Sequence, residues 1–388
     1  MSKPTKIKLG MLVSHPIQYF VPIYRGLAKT KSIDLTVLYR TRVGVDAYHD
    51  PGFGQTVKWD IPLLDGYKHV FLSSRNRIEG VQWQVINELI SHRFDVLLVH
   101  GYNSLTNILA ILVAKLIGTK VLMRGDTRIQ PDHSSTGLKA TIKHAIFKYC
   151  DGFVTIGTLN RAYYQKHGVA EEQLFFAPFC VQNEVFAVSP DLQKRYRLEV
   201  RKEYNFPIDS LIVLFASKLI KRKSTDDLIQ AFAQISNLYP TAYLLIAGSG
   251  AEESNLRQLV SSLDDAQIRF IGFQNQSQLP RLYAATDIFV LPAHLEPWGL
   301  VINEVMAAGL PVIVSSEIGA ATDLVDGKGT GIIYPCGDLQ ALTSALETLL
   351  QSPTLRVEMG IKARQLINKW DVVACVSGIV AAVTKLMY

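Results

Sequence analysis

Residues Leu291–Ser316 read L-P-A-H-L-E-P-W-G-L-V-I-N-E-V-M-A-A-G-L-P-V-I-V-S-S. The apolar run Ile288–Leu291 leads in as a buried strand. A polar loop follows, holding Glu296, Pro297, Trp298 and Gly299, and then a helical pattern runs from Leu300 to Ala308 until Gly309 stops it. A second apolar run, Pro311–Val314, leads out. The order predicts a β-α-β unit. Glu296 falls just before the predicted helix, and Glu304, eight positions on, about one turn into it. Between them Gly299, Leu300 and Val301 offer backbone amides at a helix N-terminus, where unpaired donors and the positive dipole end favour an anion. An ionised Glu only accepts hydrogen bonds, so each suits the hydroxyls of a sugar or ribose ring.

The stretch E-P-W-G-L-V-I-N-E, with P-A-H before it and A-A-G-L-P-V-I-V after it, resembles the E-x7-E motif of retaining glycosyltransferases, in particular glycosyltransferase family 4. The resemblance covers residues 207–345 well and the N-terminal half loosely. It implies the GT-B fold: two Rossmann-like α/β domains with parallel sheets facing across a deep cleft, and a C-terminal helix that crosses back. The division this gives is 1–190 for an acceptor-side domain, 191–370 for a donor-side domain and 371–388 for the returning helix.

Upstream, S-K-L-I-K-R-K-S (217–224) follows a buried strand and resembles the family's G-R-L-x-x-x-K-G loop. Lys218 takes the Arg position and Lys223 the Lys position, and two cations at a strand-to-helix loop suit a diphosphate. Ser217 and Ser224 replace both glycines, which leaves the backbone path in question; Lys221 and Arg222 read as solvent-facing. G-S-G at 248–250 lacks the third glycine of a dinucleotide fingerprint. The resemblance instead puts Gly248 and Gly250 beside the nucleotide and Phe273 by the nucleobase. Downstream, Gly319–Asp323 is similar to the family's G-G-x-x-E, with Ala320 and Asp323 as departures.

The N-terminal half alternates strands and helices, which argues for a parallel sheet. Its first loop carries Ser14, His15 and Pro16 where many family members have a glycine-rich turn. His15 and His100, each at a strand end, are acceptor-side candidates, with a locally bonded turn histidine as the other reading of His15. Arg124 stands where the family often has a His. With Asp126 it forms either a site pair beside the leaving diphosphate or a surface Arg and a capping Asp. The long polar segment 41–80, with Trp59, Arg75 and Arg77, reads as acceptor recognition.

The 388 residues, 48 % hydrophobic and 19 % charged, suit a two-domain α/β enzyme. Residues 1–190 carry 22 Lys+Arg against 14 Asp+Glu, and the rest 18 against 20. A basic N-terminal half suits anionic lipid, an anionic acceptor or nucleic acid, and no nucleic-acid motif accompanies it. Gly137–Cys150, with Lys139, Lys143 and Lys148 between apolar residues, reads as either a peripheral contact with an anionic membrane or a solvated helix face. No span is long and apolar enough for a confident membrane crossing, with 372–384 too short, and no secretory leader is evident. Cys150, Cys180, Cys336 and Cys375 lie far apart and read as reduced core thiols of a cytoplasmic protein.

These features imply a retaining glycosyltransferase with a nucleotide-sugar donor and a glycan or lipid-linked acceptor, acting in polysaccharide or glycolipid synthesis without cofactor or metal, since nothing resembles a D-x-D site. Lys218, Lys223 and the amides at Gly299–Val301 would stabilise the departing diphosphate, with Arg124 and Asp126 nearby. Glu296 would hold the sugar and Glu304 the ribose. A sugar-nucleotide epimerase and a non-catalytic partner subunit remain the alternatives. The nucleotide base, the sugar and the acceptor stay open.

Overall fold

The computed structural model describes residues 6–73, 80–129, 138–263 and 267–388, with the helix backbone alone at 138–140. Its strands, in chain order, are β1 (Ile7–Val13), β2 (Ile33–Tyr39), β3 (Tyr48–Asp50), β4 (Gln55–Val57), β5 (Lys68–Phe71), β6 (Val96–His100), β7 (Lys120–Arg124), β8 (Gly152–Thr155) and β9 (Leu174–Phe176). Then come β10 (Leu211–Ala216), β11 (Ala242–Ala247), β12 (Ile268–Gly272), β13 (Ile288–Leu291), β14 (Val312–Ser315) and β15 (Gly331–Tyr334). All of these except β3 and β4 form a seven-stranded sheet in the order β5-β2-β1-β6-β7-β8-β9 and a six-stranded sheet in the order β12-β11-β10-β13-β14-β15. Neighbours pair in parallel in both sheets. Helices cover both faces of such a sheet, so its central strands are apolar throughout rather than alternating. In β1 every residue except Lys8 is buried.

The chain divides into two compact units, and the division departs from the sequence boundaries. Unit 1 comprises Met1–Tyr48, Ile61–Cys180 and Asp371–Tyr388; unit 2 comprises His49–Asp60 and Val181–Trp370. The boundary falls at 180/181 instead of 190, because the helix Asn183–Phe186 packs in unit 2, with Phe186 against Tyr283. More consequential is the excursion His49–Asp60, drawn from the segment read as acceptor recognition. It leaves unit 1, forms the two-stranded β3-β4 ribbon and joins the other unit. Arg75, Arg77 and Gly137 lie outside the described residues.

In unit 1 one sheet face is covered by the helices Val21–Lys29 and Val372–Met387. The latter buries Cys375, Ile379, Ala382 and Val383, one stripe at helical spacing. Helical residues Pro353–Met387 include an 18-residue window of mean hydropathy 1.6, which by length and composition alone could cross a membrane. A turn at 368–371 splits the run into two helices, and the apolar stripe of the second belongs to the unit 1 core. The helix Leu138–Lys148 also differs from its expected pattern. Lys143 is buried, its ammonium 2.5 Å from His167 Nε2, while Ile142 is 47 % exposed. The basic stripe thus loses Lys143 to the interior.

Candidate functional site

In unit 2 the strand order reverses at β10 and β13, which pair with each other. In open parallel sheets the loops leaving two such strands splay apart and form a ligand crevice. Here the loop after β10 is Ser217–Ser224, and the loop after β13 carries Glu296. The topology alone therefore juxtaposes the lysine loop and the first carboxylate of the acidic pair.

The side chains meet. Glu296 Oε2 accepts hydrogen bonds from Lys223 Nζ at 2.6 Å and from Arg222 Nη1 at 2.7 Å. Arg222, expected in solvent, is thus part of the cluster. Lys223 is buried, and burial lowers its pKa while the Glu296 carboxylate pulls it back, for a net displacement below the ordinary lysine value. The Lys223 turn ends at Ser224, whose φ of 46° is the left-handed geometry that favours glycine. The serine substitution has therefore left the turn in a glycine-like path, with the strain of a Cβ added. Leu295, with φ also 46°, makes a second strained turn just before Glu296. That loop is clamped from β14's end: Leu295 N–H donates to Glu317 Oε2 at 2.9 Å, Glu296 N–H to Glu317 O at 3.1 Å, and Gly319 N–H to Glu296 O at 3.0 Å.

Gly299 turns at φ 91° into the helix Leu300–Ala307, and Ile302 N–H closes back on Gly299 O at 2.9 Å. Leu300 and Val301 precede that bond and lie at the helix's donor end. Glu304 is buried at 1 % exposure, its Oε2 accepting from Tyr283 Oη at 2.6 Å. Trp298, between the two glutamates, is structural: its indole donates to Asn303 Oδ1 at 2.9 Å and its ring stacks on Trp370.

Lys218 takes a partner that the sequence reading missed. Its ammonium lies 2.9 and 3.1 Å from the two carboxylate oxygens of Asp50, in the excursion, and 4.6 Å from the Phe53 ring centroid. Burial pushes Asp50 up, but Lys218 and the amides of Phe53 and Gly52 outweigh it and hold the carboxyl below its ordinary range. Ser249 Oγ donates to Phe53 O at 2.9 Å, and the Phe53 ring meets Phe273 edge-on at 4.8 Å, with Trp59 alongside. The only sequence signal of this docking was D-P-G-F-G, a turn pattern that names no distant partner. The glycines of G-S-G also pack against the lysine loop. A Cβ on Gly248 would stand 1.9 Å from Ser217 O, and one on Gly250 2.3 Å from Leu219 O. Their smallness is used by the backbone of the lysine loop packing against them, so Ser217 sits against Gly248.

In unit 1 the order reverses between β1 and β6, which places the loops of His15 and His100 at the corresponding position. His15 Nδ1 lies 2.9 Å from Ser14 Oγ. His100 is packed edge-on against Phe20 at 4.9 Å, and its buried Nε2 has no hydrogen-bond partner among the described residues. Burial, aided by the Arg124 charge, lowers its pKa to about 3. Arg124 is 2 % exposed, which rules out the surface reading. Nη1 contacts Cys375 Sγ at 3.4 Å, and the guanidinium lies 5.9 and 5.8 Å from the ring centroids of Phe20 and Phe179. Asp126 is exposed, so the two do not share an environment. A hollow of about 570 Å³ in unit 1 lies at the opposite strand ends, by Asp95 and Lys120, away from these groups.

Residues 197–366 match the family model "Glycosyl transferases group 1". The chain is 32 % identical over 182 residues to a GDP-mannose-dependent monoacylated alpha-(1-6)-phosphatidylinositol monomannoside mannosyltransferase of Corynebacterium glutamicum, covering 44 % of this chain and 47 % of that one. It therefore spans about half the length of such curated relatives. A D-inositol 3-phosphate glycosyltransferase of Saccharomonospora viridis is 26 % identical over 94 % of this chain and 77 % of its own. Among solved structures, Anabaena Alr3699/HepE in complex with UDP superposes with a TM-score of 0.77 at 16 % identity, over 98 % of this chain and 100 % of that one. The fold is GT-B, with a parallel α/β sheet in each unit. The matched 197–366 region contains both the lysine loop and the acidic pair, and none of Asp50, Phe53 or Trp59.

Proposed function

We propose that this protein is a glycosyltransferase that moves a sugar from a nucleoside-diphosphate sugar to a hydroxyl acceptor. The observation that carries the reading is the convergence, at the switch point of the unit 2 sheet, of Glu296 with Lys223 and Arg222, with Lys218 on the same cationic loop. Departure of a nucleoside diphosphate builds negative charge on a phosphate. Prepositioned cations and helix-end amides stabilise that charge without reorganising, and this is commonly the largest catalytic contribution. Lys218 and Lys223 serve the diphosphate, with the Leu300 and Val301 amides beside it. Glu296, fixed by its ion pairs with Lys223 and Arg222, accepts hydroxyl hydrogen bonds from the transferred sugar. Glu304, on the helix that follows, supports the ribose side, and Phe273 with Phe53 and Trp59 offers aromatic surface for the base.

The finer reading is a retaining reaction. The acceptor attacks the face from which the diphosphate leaves, and the departing phosphate oxygen takes the acceptor's proton, so no protein base is required. The cations supply the charge that a metal would otherwise contribute. His15, His100, Arg124 and Asp126 belong to the acceptor-side unit. A glycan or lipid-linked acceptor fits the relatives, whose names include a phosphatidylinositol mannoside mannosyltransferase. Work at the cytoplasmic face of a membrane would suit such an acceptor.

The test pairs binding with turnover. Thermal shift with UDP-, GDP-, ADP- and CDP-sugars should raise Tm for one base class. With that donor, Lys223→Ala should lower kcat about 100- to 1,000-fold, the usual loss for one such electrostatic contact. No stabilisation by any nucleoside diphosphate would overturn the donor assignment. A product of opposite anomeric configuration would overturn retention.

A further inference from the structure

Beside the Glu296 loop, three ligand-type side chains from three strand ends point into one space. His294 follows β13, Glu317 follows β14 and Cys336 follows β15, and the three strands are neighbours in the sheet. His294 Nδ1 is 3.2 Å from Cys336 Sγ and 3.9 Å from Glu317 Oε2, and all three ligand atoms lie within 4.8 Å of one another. A catalytic relay of thiol, imidazole and carboxylate would use the two ring nitrogens separately, one for each partner. Here thiol and carboxylate both face Nδ1. Three atoms of ligand type within 4.8 Å of one another form a cluster that a single cation can bridge.

We propose that His294, Glu317 and Cys336 bind one zinc ion. The imidazole, carboxylate and thiolate set suits a borderline-soft divalent metal and excludes magnesium or calcium, which prefer oxygen throughout. Zinc–sulfur bonds of about 2.3 Å and zinc–nitrogen or –oxygen bonds of about 2.0–2.2 Å give tetrahedral edges of roughly 3.3–3.6 Å. The observed separations reach that range by small side-chain rotations. Backbone contacts hold the ligands in place: Cys336 N–H donates to Ser316 Oγ at 3.2 Å, Leu295 N–H to Glu317 Oε2 at 2.9 Å, and His294 N–H to Arg222 O at 2.8 Å. His294 and Glu317 side chains are 45 % and 38 % exposed, which leaves the fourth position to water. The ion pins three strand ends together and fixes the strained Leu295 turn that presents Glu296. Its role is positional, and zinc binding stands apart from the proposed sugar transfer.

The experiment titrates the chelator-treated full chain with Co²⁺ and then Zn²⁺. One equivalent of Co²⁺ should give a near-ultraviolet thiolate-to-cobalt charge-transfer band, which Zn²⁺ displaces. Cys336→Ser should abolish the band, and Cys336→Ser and His294→Ala should each weaken Zn²⁺ binding at least ~10-fold. Cys150→Ser, in the core, should change neither. Circular dichroism checks folding, and Glu317→Gln, which keeps the side chain's shape, supplies a further ligand variant with the same expected weakening. Absence of the band in the parent protein, or a band and Zn²⁺ affinity unchanged in folded Cys336→Ser, would overturn the site.

Discussion

Two carboxylates take three of the four cations of the lysine loop: Glu296 holds Lys223 and Arg222, and Asp50 holds Lys218. Under the proposed function Asp50 competes with the donor's phosphates for Lys218. Asp50→Asn should therefore tighten nucleoside-diphosphate binding by about two- to ten-fold, a modest gain because the Lys218 side chain is 36 % exposed and its field is screened. Isothermal titration at two salt concentrations checks this, with the gain shrinking at high salt. His100 gives a pH prediction. Its folded-state pKa of about 3 lies below the ordinary 6.5, so between these values the folded chain binds fewer protons than the unfolded one. The stability from a neutral His100 is fully present above about pH 6.5 and declines by up to about 1.4 kcal/mol per unit as pH falls. Urea unfolding from about pH 6.5 to 5 should lose about 2 kcal/mol from this group, and His100→Gln should remove that part of the slope. At this scale the sequence singled out Glu296, Lys218 and Lys223, read Arg222 as solvent-facing and did not single out Asp50. A charge pair 168 positions apart leaves no local pattern.

Elements explain why the loops hold their shape. The strand-loop-helix-strand order around Glu296 was readable because an apolar run, a stop at Gly309 and a second apolar run each follow local rules. The clamp on that loop was less readable, since it comes from the segment after β14. A Cβ on Gly319 would stand 1.8 Å from Pro297 O, against backbone that has no rotamer to yield. Gly319→Ala should therefore displace the Glu296 turn, and a shift of about 1 Å at reacting groups costs on the order of 100-fold in rate. Steady-state kinetics should show kcat falling by at least ~10-fold, with nucleotide affinity less affected. The G-S-G turn shows the limit of motif reading. Glycine marks close approach, but the sequence does not say whether a ligand or a neighbouring loop does the approaching.

Two parallel sheets were legible across the whole chain, because buried parallel strands appear as apolar runs separated by helical spacing. The unit assignments of His49–Asp60 and of residues 181–190 were not, since each depends on packing partners distant in sequence. The apolar stripe of Val372–Met387 gives a prediction for unit 1. Ile379 is fully buried there, so Ile379→Ala should cost about 2–5 kcal/mol. Denaturant unfolding should register that loss, while nucleotide affinity, which the proposed function places on unit 2 residues, should be retained.

The same helix sets a timetable for biogenesis. Unit 1 begins with the earliest strands, yet part of its core is supplied by residues 371–388, about 190 positions after its preceding segment. At about 5–20 residues per second, the ribosome needs roughly 10–40 s to deliver them. Over that interval the nascent first unit carries an uncovered apolar face, an opening for chaperones that bind newly made polypeptide.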